Sequence, residues 1–185
     1  MDNKYFGKYR GKVTDNRDPE QCGRVKLIVP SLLQGEEVWA MPCVAYAGPE
    51  VGLVLIPPIG ASVWVEFEEG ILDSPIYSGC YWNKGELPTE ARDNPAEIKL
   101  LKTAGIRLIW NDKKNAGGMT LEVVTPAVST PLKITMDQAG LTLNFNKEQA
   151  TIKMNSNGIA ILNQGQSIQI TQGKVAINGN HLEVI

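Results

Sequence analysis

The sequence predicts an all-β protein in two parts, a small N-terminal barrel followed by a repetitive C-terminal array of short strands. Three observations carry this. Apolar and polar residues alternate at period two through the apolar runs, as half-buried strands require. Helical periodicity is almost absent. From about residue 141 the apolar runs recur at intervals of roughly seven to ten residues, the period of a stacked β array.

The barrel elements follow in order. Residues 5–14 are a first candidate strand. Residues 23–30 (GRVKLIVP) put Val25, Leu27 and Val29 on one face, with 37–41 and 51–56 as further candidates. Residues 61–68 (ASVWVEFE) show the clearest alternation, with Val63, Val65 and Phe67 facing one way and Trp64, Glu66 and Glu68 the other. Residues 75–82 complete a set of five or six short strands in about 80 residues, which predicts a small barrel. Residues 83–97 hold Pro88, Pro95 and several charges without alternation, so they read as a linker or irregular crossover. One helical turn is expected at 89–92, stopped by Pro95. The predicted domains are 1–83, a linker at 84–99, and a repetitive array at 100–185.

The array consists of IRLI at 106, MTLEV at 119, LKITM at 132, LTLNF at 141, TIKM at 151, IAIL at 159, SIQI at 167, KVAI at 174 and HLEVI at 181. Asn157-Gly158 and Asn178-Gly179 are turn dipeptides, because Asn and Gly tolerate positive φ. Each strand supplies only two or three apolar side chains on one face. A row of them is a ribbon with an apolar stripe, and no helix or second sheet remains in the sequence to cover it. Three identical chains facing inward around an axis solve this most simply. The alternative is a single-chain β-helix, at three strands per coil a stub of about three coils. At a strand spacing of about 4.8 Å the array is on the order of 40 Å long, a rod.

Composition bounds the function. The 185 residues are 43% hydrophobic and 21% charged, with a net charge of -2. Phosphate-tracking proteins carry a basic excess, and no Lys/Arg run here exceeds Lys113-Lys114, so nucleic acid is not an expected partner. The N-terminus has no apolar h-region and no stretch approaches the roughly 20 apolar residues of a membrane span, so synthesis without a signal peptide, in the cytoplasm, is expected. Cys22, Cys43 and Cys80 form no CxxC pair and are expected to be buried, reduced thiols.

Candidate chemistry is sparse. Glu66, Glu68, Glu69 and Asp73 cluster, but a glycosidase needs carboxylates opposed across a bond, and Glu66 and Glu68 at i, i+2 are neighbours on one strand face. No GxSxG, HExxH or P-loop pattern occurs. Trp39, Trp64, Tyr81 and Trp82 suit a base- or sugar-stacking platform, but with this net charge they are expected to fill the barrel or contact neighbouring subunits. His181, the one histidine, is the only metal candidate, since three imidazoles near a trimer axis supply a ligand set. Its alternation with Leu182 and Val184 points it outward with Glu183, so neither metal nor cofactor is expected. Asn155, Asn157, Asn163, Gln164, Gln166, Gln169 and Gln172 are expected at turns and on the outer face, as uncharged polar ladders.

The order GRVK at 23–26, Pro42, Gly48, PPIGASVWVEFEEG at 57–70 and SPIYSGCYW at 74–82 resembles the oligonucleotide/oligosaccharide-binding (OB) domain of the contractile-tail spike and VgrG family (phage baseplate assembly protein V). KTAGIRLIWND at 102–112 is similar to the opening of that family's shaft, and VAINGN at 175–180 to its final prism strands. The resemblance implies an OB-fold collar with a trimeric β-prism or β-helix shaft. It implies a homotrimer docked on a baseplate hub, a shaft that pierces the target envelope on transient contact with its membrane, and assembly into a virion tail or an extracellular phage-tail-like particle. VgrG proteins carry a large hub module before the OB domain, and with little before residue 5 here, a protein similar to the short, stand-alone spikes is expected. It departs from some relatives in having no lysozyme domain, Ile106 where many have His, and no His-x-His apex; a separate PAAR-type tip protein is therefore expected at the C-terminal end. The leading function is structural. A β-solenoid enzyme acting on cell-wall polysaccharide and an OB-fold module for single-stranded nucleic acid are the alternatives.

Overall fold

The structure, a computed structural model, describes residues 3–179 and the backbone of Leu182–Val184. The chain divides into two compact units between Leu87 and Pro88.

In the first unit the strands are β1 (Tyr9–Asp15), β2 (Val25–Ile28), β3 (Glu37–Pro42), β4 (Ala47–Gly48), β5 (Val51–Gly52), β6 (Ser62–Phe67) and β7 (Pro75–Tyr81). Five of them close in the order β1-β2-β3-β7-β6, all neighbours antiparallel except β3 and β7. This is the five-stranded Greek-key barrel of an OB fold. Period-two alternation explains it: Val25, Leu27 and Val29, with Val63, Val65 and Phe67, point inward and are buried, together with Val13, Leu33, Ala40 and Tyr77. The Tyr77 hydroxyl is satisfied inside by donating to the Gly23 carbonyl at 2.7 Å. Gly11 is required where β1 passes β6, since a Cβ there meets Val65 Cγ2 at 2.7 Å.

The β1–β2 loop is built on Asp18. Its carboxylate, 5% exposed, accepts from Arg24 Nε at 3.0 Å and Nη2 at 2.8 Å, and from the N–H groups of Glu20, Cys22 and Arg24. Burial works against ionisation of Asp18, but these donors outweigh it and hold the carboxyl well below the usual carboxylate range. The Arg24 guanidinium lies over the Trp39 ring at 5.5 Å.

The structure corrects two expectations here. Residues 51–56 are not a barrel strand: only Val51–Gly52 pairs, with Ala47–Gly48, in a ribbon apart from the barrel. The apolar run does not alternate and ends at Pro57-Pro58, which cannot donate to a ladder. The cysteines are exposed rather than buried. Cys22 lies in the β1–β2 loop and Cys43 just past β3. Around Cys80 the β6–β7 register shifts, with Gly79 at φ 119 accommodating the extra residue of β7.

In the second unit a one-turn 3₁₀ helix at Thr89–Ala91 precedes β8 (Ile98–Lys102), β9 (Ile106–Asn111), β10 (Gly118–Val123), β11 (Leu132–Asp137), β12 (Gly140–Phe145), β13 (Ala150–Asn155), β14 (Gly158–Asn163), β15 (Gln166–Thr171), β16 (Lys174–Ile177) and β17 (Leu182–Val184). They form one open ten-stranded sheet in sequence order, every neighbouring pair antiparallel. A meander of this kind has no coils, so the single-chain β-helix does not form. β8 is an addition to the expected set. Short hairpin loops hold the register: Gln164 (φ 47) and Gly165 (φ 89) connect β14 to β15, and Asn178 (φ 50) and Gly179 (φ 71) follow β16. Asn157 does not adopt positive φ; in that pair only Gly158 (φ 127) does, as the first residue of β14.

Candidate functional site

The register of the sheet stacks its side chains in columns, because cross-strand partners share a face. One column runs Leu101, Leu108, Leu121, Ile134, Leu143, Ile152, Ile161, Ile168 and Ile177 without a polar member. Beside it run Trp110, Met119, Met136, Leu141, Met154, Ile159, Ile170 and Val175, opened at β8 by Lys99, which pairs with Asp112. A third column on the same face holds Ile106, Val123, Leu132, Phe145 and Ala150, then turns polar at Asn163 and Gln166. Those two residues therefore lie on the apolar face rather than the outer one, at its rim.

The opposite face is mixed, with Leu100, Ile109, Ala160 and Leu162 among polar and charged residues. Arg107 donates to Glu90 at 3.3 Å and to Glu122 at 2.9 Å, while Lys102 reaches Glu90 at 2.7 Å and Lys133 reaches Glu122 at 3.2 Å. This network ties the 3₁₀ turn to the first strands. Thr120, Thr135 and Thr142 stand side by side next to it.

Among the described residues of the second unit nothing covers the apolar face. Twelve large hydrophobic side chains of this face are each between about 37% and 48% exposed, among them Phe145 at 44% and Met154 at 48%. A shallow trough of about 520 Å³ opens among Leu132, Leu143, Phe145, Ile152 and Ile161. At ~1.5–3 kcal/mol for full burial of a large side chain, covering the remaining exposure contributes on the order of 10 kcal/mol per chain. The trough is lined by apolar side chains such as Leu143, Ile152 and Ile161, and the charged member of the face, Lys99 of β8, pairs with Asp112.

The residues singled out for chemistry are scattered. Glu66 lies on the outside of the barrel, 3.1 Å from Lys8, and hydrogen bonding to Ser78 and then Lys8 lowers its pKa. Glu68 and Glu69 belong to a 3₁₀ turn after β6, so Glu66 and Glu68 do not share a strand. Among the described residues no group of three or more His, Cys, Asp or Glu is placed to hold a metal. His181 lies outside the described residues. None of the four aromatics fills the barrel. Trp64 and Tyr81 stack on its outside with centroids 4.7 Å apart, and Arg10 covers them at 5.7 and 5.2 Å; Trp39 is half-buried under Arg24, and Trp82 is 65% exposed. The Trp64 and Tyr81 rings thus take each other and an arginine as partners.

Residues 9–82 match the family model of the type VI secretion system/phage-baseplate injector OB domain, a structural baseplate domain rather than an enzyme family. The match covers the closed barrel and less than half of the chain, and it supports a protein of the baseplate-spike type. No curated protein matches the sequence.

Proposed function

We propose that this chain is the homotrimeric central spike of a contractile injection machine. Residues 1–83 form the collar, 84–99 the linker and 100–185 the shaft. One observation carries the reading: an injector-type OB barrel is followed by a ten-stranded sheet whose apolar face is uncovered among the described residues of its unit. Three copies of that sheet, apolar faces inward, make a closed prism whose outer surface is the threonine and ion-pair face. The collar docks on the baseplate hub, the shaft points outward, and contraction drives it through the target envelope. The role is mechanical, with no turnover of substrate. A PAAR-type tip protein covers the last strands, and the assembled spike resides in a virion tail or phage-tail-like particle.

Quantitative peptide mass spectrometry of purified contractile particles tests this. The expected result is three copies of the chain per particle, with particles made without it failing to complete a baseplate. Its absence from particles that still assemble and kill overturns the reading.

A further inference from the structure

We infer that the exposed hairpin of the barrel, residues 43–55, is a docking arm that packs on the barrel of a neighbouring copy of this chain. The inference rests on the trimeric reading above. Every residue from 43 to 55 is exposed, Val54 at 77% and Tyr46 at 60%, and Glu50 is the one charge in the segment. A surface loop that meets only water is polar, and a continuous apolar projection marks an interface.

The segment is ordered, not slack. Ala47 pairs with Gly52 and Gly48 with Val51, and the Leu53 N–H donates to the Tyr46 carbonyl at 2.9 Å. Its base is fastened to the barrel: Ile56 packs against the core, Pro57 is buried, and the Pro57 carbonyl accepts from Asn16 Nδ2 at 3.1 Å. An apolar hairpin held in shape at its root and presented outward is preorganised for binding.

Two features select a second copy as the occupant. First, β3 runs parallel to β7, so the arm leaves the barrel at the end where β7 also finishes and the chain continues into residues 83–97. Copies joined through their sheets have these barrel ends tethered together, which puts one copy's arm at high effective concentration beside the next barrel. Second, depletion of charge marks a permanent interface rather than a transient one, and homodimer interfaces are among the more apolar. Trp82, exposed at that same barrel end, offers a large apolar target. Arm-on-barrel contact is heterologous, and three such contacts close a ring.

The test places photo-reactive p-benzoylphenylalanine at position 54 of the full-length protein, with position 36, in the loop at the opposite barrel end, as the control. Expected are covalent dimers and trimers from position 54 alone, with the linked peptide inside residues 1–87 of another copy. The arm is wrong if a preparation with the mass of three chains links only within one chain, only to the sheet, or equally from both positions. It is also wrong if position 54 links only to another baseplate protein in assembled particles. A mass of one chain removes the trimeric reading itself, and the arm with it.

Discussion

The barrel and the sheet are built from the same material, short strands of alternating polarity, yet they solve the burial problem differently. The barrel buries ten hydrophobic side chains inside one chain, whereas among the described residues of the sheet only one hydrophobic residue, Ala176, is buried. Closure makes the difference. Five strands curled onto themselves turn every inward face toward another, while ten strands in an open meander leave one face without a second layer. The lesson is that alternation specifies which side chains seek cover, and topology specifies whether the chain can supply it.

That contrast can be broken most severely at the centre of the sheet. Ile152→Asp puts a carboxylate into the all-aliphatic column, with Leu143 and Ile161 as its cross-strand partners. An ion buried there is untenable, so the expected outcome is loss of assembly, seen as a fall in mass from three chains to one with aggregation of the freed face. Next in size is Leu27→Ala in the barrel, where the residue is fully buried. Urea unfolding of the barrel is expected to lose ~2–5 kcal/mol. Because that core is internal, the loss should be independent of protein concentration, whereas unfolding of the sheet should depend on it.

Gly158→Ala sharpens the comparison within the sheet. A Cβ at Gly158 stands 1.9 Å from the Ile170 carbonyl oxygen, and φ is 127 there. The strands must shift apart, at a cost of ~1–3 kcal/mol by analogy with overpacked cores; a lowered thermal midpoint of the sheet checks it. The smallest effect concerns Glu90. The hydrogen bond from Lys102, then its own backbone N–H and Arg107, hold its carboxyl at about 2, against an ordinary value of 4.5. A depressed folded pKa contributes stability that is present above about 4.5 and is lost as pH falls through about 2. Glu90→Gln should therefore cost ~1 kcal/mol or less at neutral pH, as partly exposed ion pairs do. It should also flatten the acid limb of the stability profile between those two values.

Much of this fold is legible in the sequence. The inward faces of residues 25–29 and 63–67 follow from alternation alone, as do the strands from Ile106 onward and the absence of an internal cover for them. β8 was hidden because Leu100 and Leu101 break the alternation and Lys99 sits on the apolar face. Residues 51–56 suggest a strand because an unalternating run such as Leu53-Val54-Leu55 suits a buried one; Gly52 and the double proline are the signals against it. The continuous columns needed the register, and register depends on loop conformations that composition does not specify. The exposure of Cys80 goes with the bulge at Gly79, and the Arg10–Trp64–Tyr81 stack joins residues distant in sequence, neither of which a local pattern records.

The most direct test of the uncovered face is the solution mass of the purified protein by light scattering. A single species at three times the 20.2 kDa chain mass, persisting in detergent, is the expected result. A stable, well-folded monomer at that chain mass, with no tendency to associate, would show that the apolar face needs no second copy and would contradict the trimeric spike.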